Sequence, residues 1–439
     1  MAHRDQQRGL RWLTEAGTAV RRAGLPGVKA AGRREATSTL HLRRSQEPPA
    51  GLGPTAAHPG ARLPEGLALL TVVRSRGADG RDGYRLDGRC GSLTVTCEAG
   101  PTRRTAPAVS LANLRQGDGE YPSEVLRGIR LWSENQGPLA RWLNRIRARY
   151  GTALRLIVWD DTGYELPWEL FWLPEDPDLA VHEGLLGASV AMTRWTTVHD
   201  ADQHLPRESE HCRGGILGYL HRDMTDDGTV FASYTHRMHR EMTSFLDALN
   251  GLADPTGLVY MGCHGAYGDT VTRLRLGERT WAEFNGEKMD VLGRDRSLVC
   301  LNACHSGRFV DNRAQGEEAL RGFAELFLRK GAGGCIVTAG KVGDAEARTL
   351  VRRLVRDVAA QPQYPVAEKL RAFRARAVEE FGPLSAVPSV HRDDGTVDAP
   401  GQKRVLRLLY AFMFHFYGHP LTRLQLTAPL RDTAEGSGR

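Results

Sequence analysis

Two apolar stretches of the chain decide its fold. Residues 258–265 read Leu-Val-Tyr-Met-Gly-Cys-His-Gly, and residues 298–307 read Leu-Val-Cys-Leu-Asn-Ala-Cys-His-Ser-Gly. Each begins as a continuous apolar run, which is typical of a strand buried on both faces of a parallel sheet. Each ends in a polar, glycine-containing turn that carries a reactive side chain, His264 in the first and Cys304 in the second.

Apolar runs alternate with helical periodicity along most of the chain. Further strands are predicted at 67–73, 92–97, 154–159, 215–220, 335–338 and 408–416. Helices are predicted at 123–149 with a break at Gly137-Pro138, at 317–330, and at 345–359 with Asp344 as N-cap. We therefore expect an α/β fold, a mostly parallel sheet flanked by helices.

Composition divides the 439 residues into three parts. Residues 1–66 are rich in Gly, Pro, Ala and Arg and hold few groups that can pack, so we expect a flexible tail. Residues 67–153 are predicted to form a β/α accessory region. Residues 154–430 are predicted to form the main domain.

The net charge of +7 lies entirely in the tail. Residues 1–62 hold 11 basic and 4 acidic residues, which leaves 48 of each in the rest of the chain. A neutral body disfavours a nucleic-acid-binding protein, so only weak contacts of the tail with polyanions are expected. No apolar stretch approaches about 18 residues, so no membrane span is predicted. Seven Cys without a Cys-x-x-Cys pair indicate free thiols and a reducing, cytoplasmic setting.

His264 and Cys304 have the chemistry of a general base and a thiol nucleophile. The carboxyl ends of neighbouring parallel strands lie at one edge of a sheet, so the two side chains are expected to meet there. A nearby imidazole raises the thiolate fraction of a thiol, whose unperturbed pKa is about 8.5. The backbone N–H groups of Gly265 and Cys304 are candidates for an oxyanion hole. We interpret His305 and the Cys residues within the strands as structural.

A zinc site is the alternative use of these residues. Cys263, His264, Cys304 and His305 supply four potential ligands. They come as two pairs of adjacent residues without Cys-x-x-Cys or His-x-x-x-His spacing, which makes tetrahedral coordination awkward. We therefore predict neither a metal nor an organic cofactor.

Six segments of the chain form a pattern in sequence order. They are Tyr164–Phe171, which contains Leu-Pro-Trp-Glu-Leu, then Gly257–Gly265, Asn302–Gly307, Gly316–Leu320, Gly331–Thr338 and Tyr417–Pro420. Taken together, they resemble the CHAT domain, the bacterial branch related to caspases, separase and gingipain-like proteases. The resemblance extends over about residues 154–424, with one departure: the pair at 339–340 is Ala-Gly where the family commonly has Leu-Trp.

The resemblance implies a caspase-like fold and peptide hydrolysis, with His264 as the general base and Cys304 as the nucleophile. It also implies that the protein cleaves a partner protein in bacterial defence or regulated cell death, after a signal from an activating sensor or partner. The alternative is a non-catalytic CHAT-like interaction module. The intact pair of Cys304 and His264 counts against that alternative.

Three residues are candidates for the pocket that receives the P1 side chain of a substrate. Asn302 lies two residues before Cys304 on the same strand, so the two side chains share a face. In relatives the pocket is also lined by the segment that here contains Lys341 and Asp344. An inward Asp344 would select Arg or Lys at P1. If Asp344 instead caps the following helix, as we expect, Lys341 or a neutral pocket decides the preference.

Overall fold

The structure is a computed structural model that describes residues 63–76, 82–97, 111, 114, 121–197, 210–311 and 320–429. These residues fall in one compact unit of the chain. Nearly all of the predicted tail, residues 1–62, lies outside the described residues, as do residues 316–319 of one motif. In the described part of the chain, no helix combines the length and the apolar composition that crossing a membrane requires.

The described strands form one large sheet and three small ones. They are β1 (Leu67–Arg76), β2 (Asp82–Cys90), β3 (Leu93–Cys97), β4 (Arg155–Asp160), β5 (Trp172–Leu173), β6 (Gly184–Leu185), β7 (Ala191–Trp195), β8 (His211–Leu220), β9 (His236–His239), β10 (Thr256–Gly262), β11 (Gly265–Ala266), β12 (Arg275–Leu276), β13 (Arg279–Thr280), β14 (Leu298–Asn302), β15 (Val310–Asp311), β16 (Leu320–Arg321), β17 (Gly334–Thr338), β18 (Phe414–Gly418) and β19 (Arg423–Leu426).

The described α-helices cover both faces of the large sheet, and short 3-10 segments occur between the elements. The helices are α1 (Pro122–Glu134), α2 (Gly137–Tyr150), α3 (Leu186–Ser189), α4 (Met242–Gly251), α5 (Trp281–Gly286), α6 (Asp290–Asp295), α7 (Phe323–Arg329), α8 (Asp344–Ala360), α9 (Val366–Phe381) and α10 (Ala399–Ala411). The 3-10 segments are Gly151–Ala153, Trp168–Leu170, Pro177–Leu179, Arg222–Phe231 and Val271–Arg273.

The large sheet has the strand order β19-β8-β10-β14-β17-β18-β7-β4-β1-β2-β3, and β9 also pairs with β8. Most neighbours are parallel; the antiparallel pairs are β1 with β2, β2 with β3, and β17 with β18. The predicted α/β fold class, a mostly parallel sheet flanked by helices, is confirmed. Strand β1 of the accessory region pairs with β4, so both predicted regions contribute to one sheet. A domain boundary at residue 153 stays a prediction.

The strands at the centre of the sheet are buried along their whole length, which explains their continuous apolar sequence. Every residue of β10, β14 and β17 is buried. On one face, Val299 and Leu301 of β14 pack in a cluster with residues of α4, α5, α6 and α7. On the other face, Leu298 and Cys300 pack with residues of α8 and α9. Helices thus cover both faces of β14.

Two predicted elements are corrected by the structure. The predicted strand 408–416 is divided, because helix α10 continues to Ala411 and β18 begins only at Phe414. Leu408 and Leu409 of this run are buried together with Val405, one helical turn upstream, a spacing that the continuous apolar sequence conceals. The predicted helix 317–330 begins at Phe323, since Leu320 and the following residue pair with β15 as strand β16.

One predicted helix cap is wrong, and one strand was not predicted. The N-cap of α8 is Gly343, and Asp344 is the first residue of the helix, so the expected capping role of Asp344 is wrong. Gly343 has the extended backbone of an N-cap, with φ of −65° and ψ of 140°. The helix therefore starts at residue 344, one residue earlier than predicted. Strand β2 was not predicted, because its Gly-, Asp- and Arg-rich sequence is typical of a turn.

Glu169 of the Leu-Pro-Trp-Glu-Leu segment forms a buried ion pair with Arg194 of β7. Glu169 accepts two hydrogen bonds from Arg194 of β7, one of them 2.9 Å long from Nε to Oε1. Nε2 of His415 lies 3.2 Å from the other oxygen of Glu169. Burial alone would raise the pKa of Glu169, but the charge and hydrogen bonds of Arg194 and the charge of Arg374 help to lower the pKa to about 2. Burial and the charge of Arg194 lower the pKa of His415 to about 3, so this imidazole is neutral.

Candidate active site

His264 and Cys304 leave two adjacent parallel strands at equivalent positions. Strand β10 pairs with β14 in parallel, and Gly262 lies opposite Asn302 at the end of the ladder. His264 and Cys304 each stand two residues beyond that last pair. The N–H of Cys263 donates to the Asn302 carbonyl oxygen at 3.3 Å, which continues the pairing past the strand ends. The structure therefore brings the predicted base and the predicted nucleophile to the same edge of the sheet.

The turn that carries Cys304 is anchored to the exit of β17. His305 has a left-handed backbone with φ of 60°, which reverses the chain directly after the nucleophile. Its N–H donates to the Gly340 carbonyl oxygen at 3.1 Å, and the N–H of Gly307 donates to the Thr338 carbonyl oxygen at 2.8 Å. The Thr338 side chain donates in turn to the carbonyl oxygen of residue 303 at 2.5 Å. These bonds fix the backbone of the turn, and the structural role of the His305 side chain stays a prediction.

Gly265 packs directly on the backbone of Cys304. A Cβ atom built at residue 265 would lie 1.9 Å from the Cys304 carbonyl oxygen and 3.2 Å from the Cys304 nitrogen. Only glycine fits in such a contact. The hairpin that follows holds the neighbouring His264 in place, because the N–H of Gly277 donates to the His264 carbonyl oxygen at 2.7 Å. The sequence His264-Gly265 thus fixes the main chain beside His264 against the main chain of Cys304.

A carboxylate orients the imidazole of His264. Nε2 of His264 lies 3.2 Å from Oδ2 of Asp223, and Nδ1 of His221 lies 3.3 Å from the same oxygen. The two imidazole rings meet edge to face, with their centroids 4.9 Å apart. The hydrogen bond from His264 is the largest influence on Asp223 and holds the pKa of its carboxyl below the usual range. Asp223 is therefore a carboxylate at neutral pH and accepts the Nε2–H of His264.

This contact selects the tautomer of His264. A neutral imidazole carries one N–H and one nitrogen lone pair. With the N–H on Nε2 facing Asp223, the lone pair lies on Nδ1. Nδ1 is thus the nitrogen of His264 that can accept a proton.

Cys304 differs from the other thiols in its exposure. All seven cysteines are free, and Cys304 is half-buried whereas the others are buried. Burial raises the pKa of Cys212 and of Cys263 to about 12. Burial also raises the pKa of Cys335 well above its usual value. Cys304 is thus the most accessible of the seven thiols.

The three candidates for the P1 pocket have different surroundings. The side-chain nitrogen of Asn302 donates to the Tyr260 hydroxyl at 2.9 Å, and Asn302 is nearly buried. Lys341 is exposed and directly follows Gly340, which holds the nucleophile turn. The side chain of Asp344 lies outside the described part of the structure. The P1 role of these residues stays a prediction.

Tyr410 of α10 is a neighbour of the nucleophile that the sequence did not indicate. Burial, followed by the electrostatic influence of Glu346 and Cys304, raises the pKa of Tyr410. Its ring lies at the start of α8, because a Cβ built at Gly343 would be 3.4 Å from Cε2 of Tyr410. Its helix was predicted as a strand, which is why this position was missed.

The nucleophile turn also contacts the Leu-Pro-Trp-Glu-Leu segment. Arg308 follows the turn, pairs with Glu165, and places its guanidinium 3.4 Å from the ring centroid of Tyr267. Gly307 and Arg308 line a cavity that extends to Arg194 and His415 of the buried ion cluster. Two segments that are far apart in the sequence thus meet beside Cys304.

The position of His221 and Asp223 directly after a strand is a sequence pattern that could have indicated them as site residues. His221-Arg222-Asp223 directly follows β8, and β8 is the other parallel neighbour of β10. The rule that located His264 and Cys304 at strand ends therefore applies to this strand as well. In the part of the chain that the structure describes, His221, Asp223 and His264 are the one group of three potential metal ligands with donor atoms within 4.8 Å of one another. Of the four potential zinc ligands named in the sequence analysis, only His264 belongs to this set.

Comparisons with known proteins agree with the motifs. Residues 237–381 match the CHAT domain family, and this range contains both His264 and Cys304. None of the curated proteins matches the sequence.

Several solved structures resemble the chain at low identity. The complex of the pro- and mature domains of RgpB from Porphyromonas gingivalis is 12% identical, with a TM-score of 0.43 over 67% of this chain and 71% of that one. The Arg-specific cysteine proteinase gingipain R is 10% identical, with a TM-score of 0.41 over 67% of this chain and 69% of that one. Separase in the Saccharomyces cerevisiae separase–securin complex is 12% identical, with a TM-score of 0.32 over 60% of this chain and 15% of that one. The family match covers the segment that holds the candidate dyad: residues 237–381 are similar to the CHAT domain.

Proposed function

We propose that the protein is a cysteine endopeptidase in which Cys304 is the nucleophile and His264 the general base. One observation carries the proposal: β10 and β14 are parallel neighbours whose last pair is Gly262 and Asn302, so both reactive residues follow at the same edge. The close contact between Gly265 and the Cys304 backbone supports it, since it fixes the two residues relative to each other. In this proposal residues 154–430 are the peptidase domain and residues 67–153 an accessory region.

The proposed reaction begins with transfer of the Cys304 thiol proton to Nδ1 of His264. The thiolate attacks the carbonyl carbon of the scissile peptide bond and forms a C–S bond. The N–H groups of Gly265 and Cys304 are the proposed donors to the resulting oxyanion. His264 returns the proton to the leaving amine as the C–N bond breaks. Water then hydrolyses the thioester, which releases the acid and restores the thiol.

Asp223 is the proposed positioning residue of this reaction. Its carboxylate accepts the Nε2–H of His264, keeps the lone pair on Nδ1, and stabilises the imidazolium that forms during catalysis. Asn302, Lys341 and Asp344 remain the proposed residues of the P1 pocket, with Tyr410 as a further neighbour of Cys304.

The proposed substrate is a partner protein, and the proposed setting is bacterial defence or regulated cell death in the cytoplasm. The defence setting, and activation by a sensor or partner protein, rest on the resemblance to the CHAT domain. The cytoplasmic setting is supported by the seven free thiols, which an oxidising compartment would tend to pair.

The proposal is tested by incubating the purified chain with a proteome and mapping new peptide termini by mass spectrometry. Wild type is compared with Cys304→Ala, His264→Ala and the control Cys300→Ala. The control makes the same chemical change four residues upstream, at a buried position of β14. We expect Cys304→Ala to produce no specific termini and His264→Ala to cleave about 10²–10⁴-fold more slowly. Cys300→Ala should keep the wild-type cut sites.

Equal cleavage by wild type and Cys304→Ala would contradict the proposal. Specific capture of a partner protein by both, without any cut, would instead identify the chain as a non-catalytic interaction module.

A further inference from the structure

His221 has no evident task in the proposed peptidase reaction. Orienting His264 requires one acceptor at Nε2, and Asp223 supplies it. A second imidazole nevertheless turns Nδ1 toward the same carboxylate oxygen, at 3.3 Å. Two imidazole nitrogens thus lie beside one carboxylate oxygen, and the three donor atoms are within 4.8 Å of one another. Such a cluster of donor atoms is what a metal ion requires.

Two of the three distances between the donor atoms fit a tetrahedral ion. Zinc binds imidazole nitrogen and carboxylate oxygen at about 2.0–2.2 Å, so two ligand atoms of a tetrahedron lie about 3.3–3.6 Å apart. The two separations from Oδ2 of Asp223, 3.2 Å and 3.3 Å, are close to this edge length, and the two nitrogens lie within 4.8 Å of each other. Nε of Arg222 lies 3.9 Å from the other carboxylate oxygen, Oδ1 of Asp223. The N–H of Asp223 makes a long contact of 3.4 Å with Nδ1 of His221, which a metal would replace.

We propose that His221, Asp223 and His264 bind a Zn²⁺ ion that switches the peptidase off. Two imidazoles and a carboxylate form a ligand set that suits zinc, and three protein ligands leave a fourth position for water. Asp223 and His264 are exposed, so the ion can enter and leave from solvent. The inhibitory part of this inference rests on the proposed function; the binding part does not.

The switch follows from the chemistry of one imidazole. Without metal, Nε2 of His264 carries the proton and Nδ1 carries the lone pair that accepts the thiol proton. A zinc ion bound at Nε2 takes that nitrogen's lone pair and displaces its proton to solvent or to Nδ1. A neutral metal-bound imidazole then carries N–H at Nδ1 and has no lone pair left for Cys304. The bound ion therefore removes the general base without touching the nucleophile.

The binding arm of the test uses the full chain with Cys304→Ala, so that the thiol cannot supply a ligand. Zn²⁺ alone is titrated against a chromophoric chelator, and Co²⁺ is used to record the visible spectrum of a tetrahedral site. We expect one ion per chain and an affinity weakened at least about tenfold by His221→Asn. The matched control is His182→Asn, an exposed histidine with a single carboxylate neighbour, Glu175, at 3.8 Å. Substoichiometric binding, or equal affinity in the His221→Asn variant, overturns the metal site.

The activity arm compares wild type with His221→Asn, each relative to its own cleavage rate in chelator. We expect His221→Asn to need at least about tenfold more Zn²⁺ for half-inhibition. Equal sensitivity of the two proteins overturns the switch, because zinc would then act through the thiol or elsewhere. A wild type that cleaves nothing in chelator refutes the proposed function, while the binding arm still decides the metal site.

Discussion

Replacing Gly265 by Ala perturbs the site without removing a reactive group. A Cβ at residue 265 would lie 1.9 Å from the Cys304 carbonyl oxygen, whereas real Cβ contacts below 3.0 Å are essentially never seen. The two backbones must therefore separate by at least 1.1 Å to reach 3.0 Å. Because these backbones carry His264 and Cys304, the substitution should move the base away from the nucleophile.

The expected magnitudes separate catalysis from folding. A misplacement of about 1 Å costs about 10²-fold in rate. Overpacking at one position costs about 1–3 kcal/mol of stability. At about 2.1 cal/mol/K per residue, the unfolding entropy of residues 63–439 is about 0.8 kcal/mol/K, so the melting temperature should fall by only about 1–4 °C. We thus expect a large loss of activity with a small loss of stability.

The assay measures kcat/KM on a peptide taken from a mapped cut site, together with thermal unfolding. Gly286→Ala is the matched control, because a Cβ there meets nothing within 4 Å. It should keep both the wild-type kcat/KM and the wild-type melting temperature. A Gly265→Ala protein with full activity would refute the reasoning, since the strand ends would then not hold the two residues in contact.

Three further predictions concern buried charge and the tautomer of the base. Glu169→Gln should lower the free energy of unfolding by about 3–5 kcal/mol in chemical denaturation, because it leaves Arg194 buried without its counter-charge. His415 has a pKa of about 3 when folded and about 6.5 when unfolded, so the unfolded state binds the extra proton and stability falls as the pH drops below about 6.5. Denaturation at pH 7 and pH 5 should therefore show a smaller acid loss for His415→Gln than for wild type, and parallel losses would contradict this. Asp223→Asn should lower kcat with little change in KM, because an amide no longer fixes Nε2–H on His264; an unchanged kcat would remove the positioning role.

The sequence predicted the centre of the molecule well because burial on both faces leaves a plain signal. Strands β10, β14 and β17 are short, mostly apolar runs, and polar residues follow directly at their carboxyl ends. Their parallel order then follows from the helical segments between them. For this reason the sequence alone predicts that His264 and Cys304 lie at the same edge of the sheet.

The rest of the site depends on contacts that no local pattern encodes. Asp223 lies in an irregular polar segment after β8, and only the neighbouring position of β8 and β10 brings it to His264. Tyr410 was assigned to a strand because its helix continues into the apolar strand β18 without a polar break. Asp344 precedes an obvious helix, yet the chain enters that helix one residue earlier, at Gly343. Each miss concerns a boundary or a tertiary contact.

The central claim is that His264 activates Cys304 as a nucleophile, and covalent labelling tests it most directly. The chain is treated at neutral pH with an irreversible, thiol-directed peptide inhibitor, and the adducts are located and timed by mass spectrometry. We predict that the adduct forms on Cys304, while the buried Cys335 and Cys263 stay unmodified, and that His264→Ala slows labelling about 10²–10⁴-fold. Labelling of all three thiols at similar rates, or an unchanged rate in His264→Ala, would contradict the account.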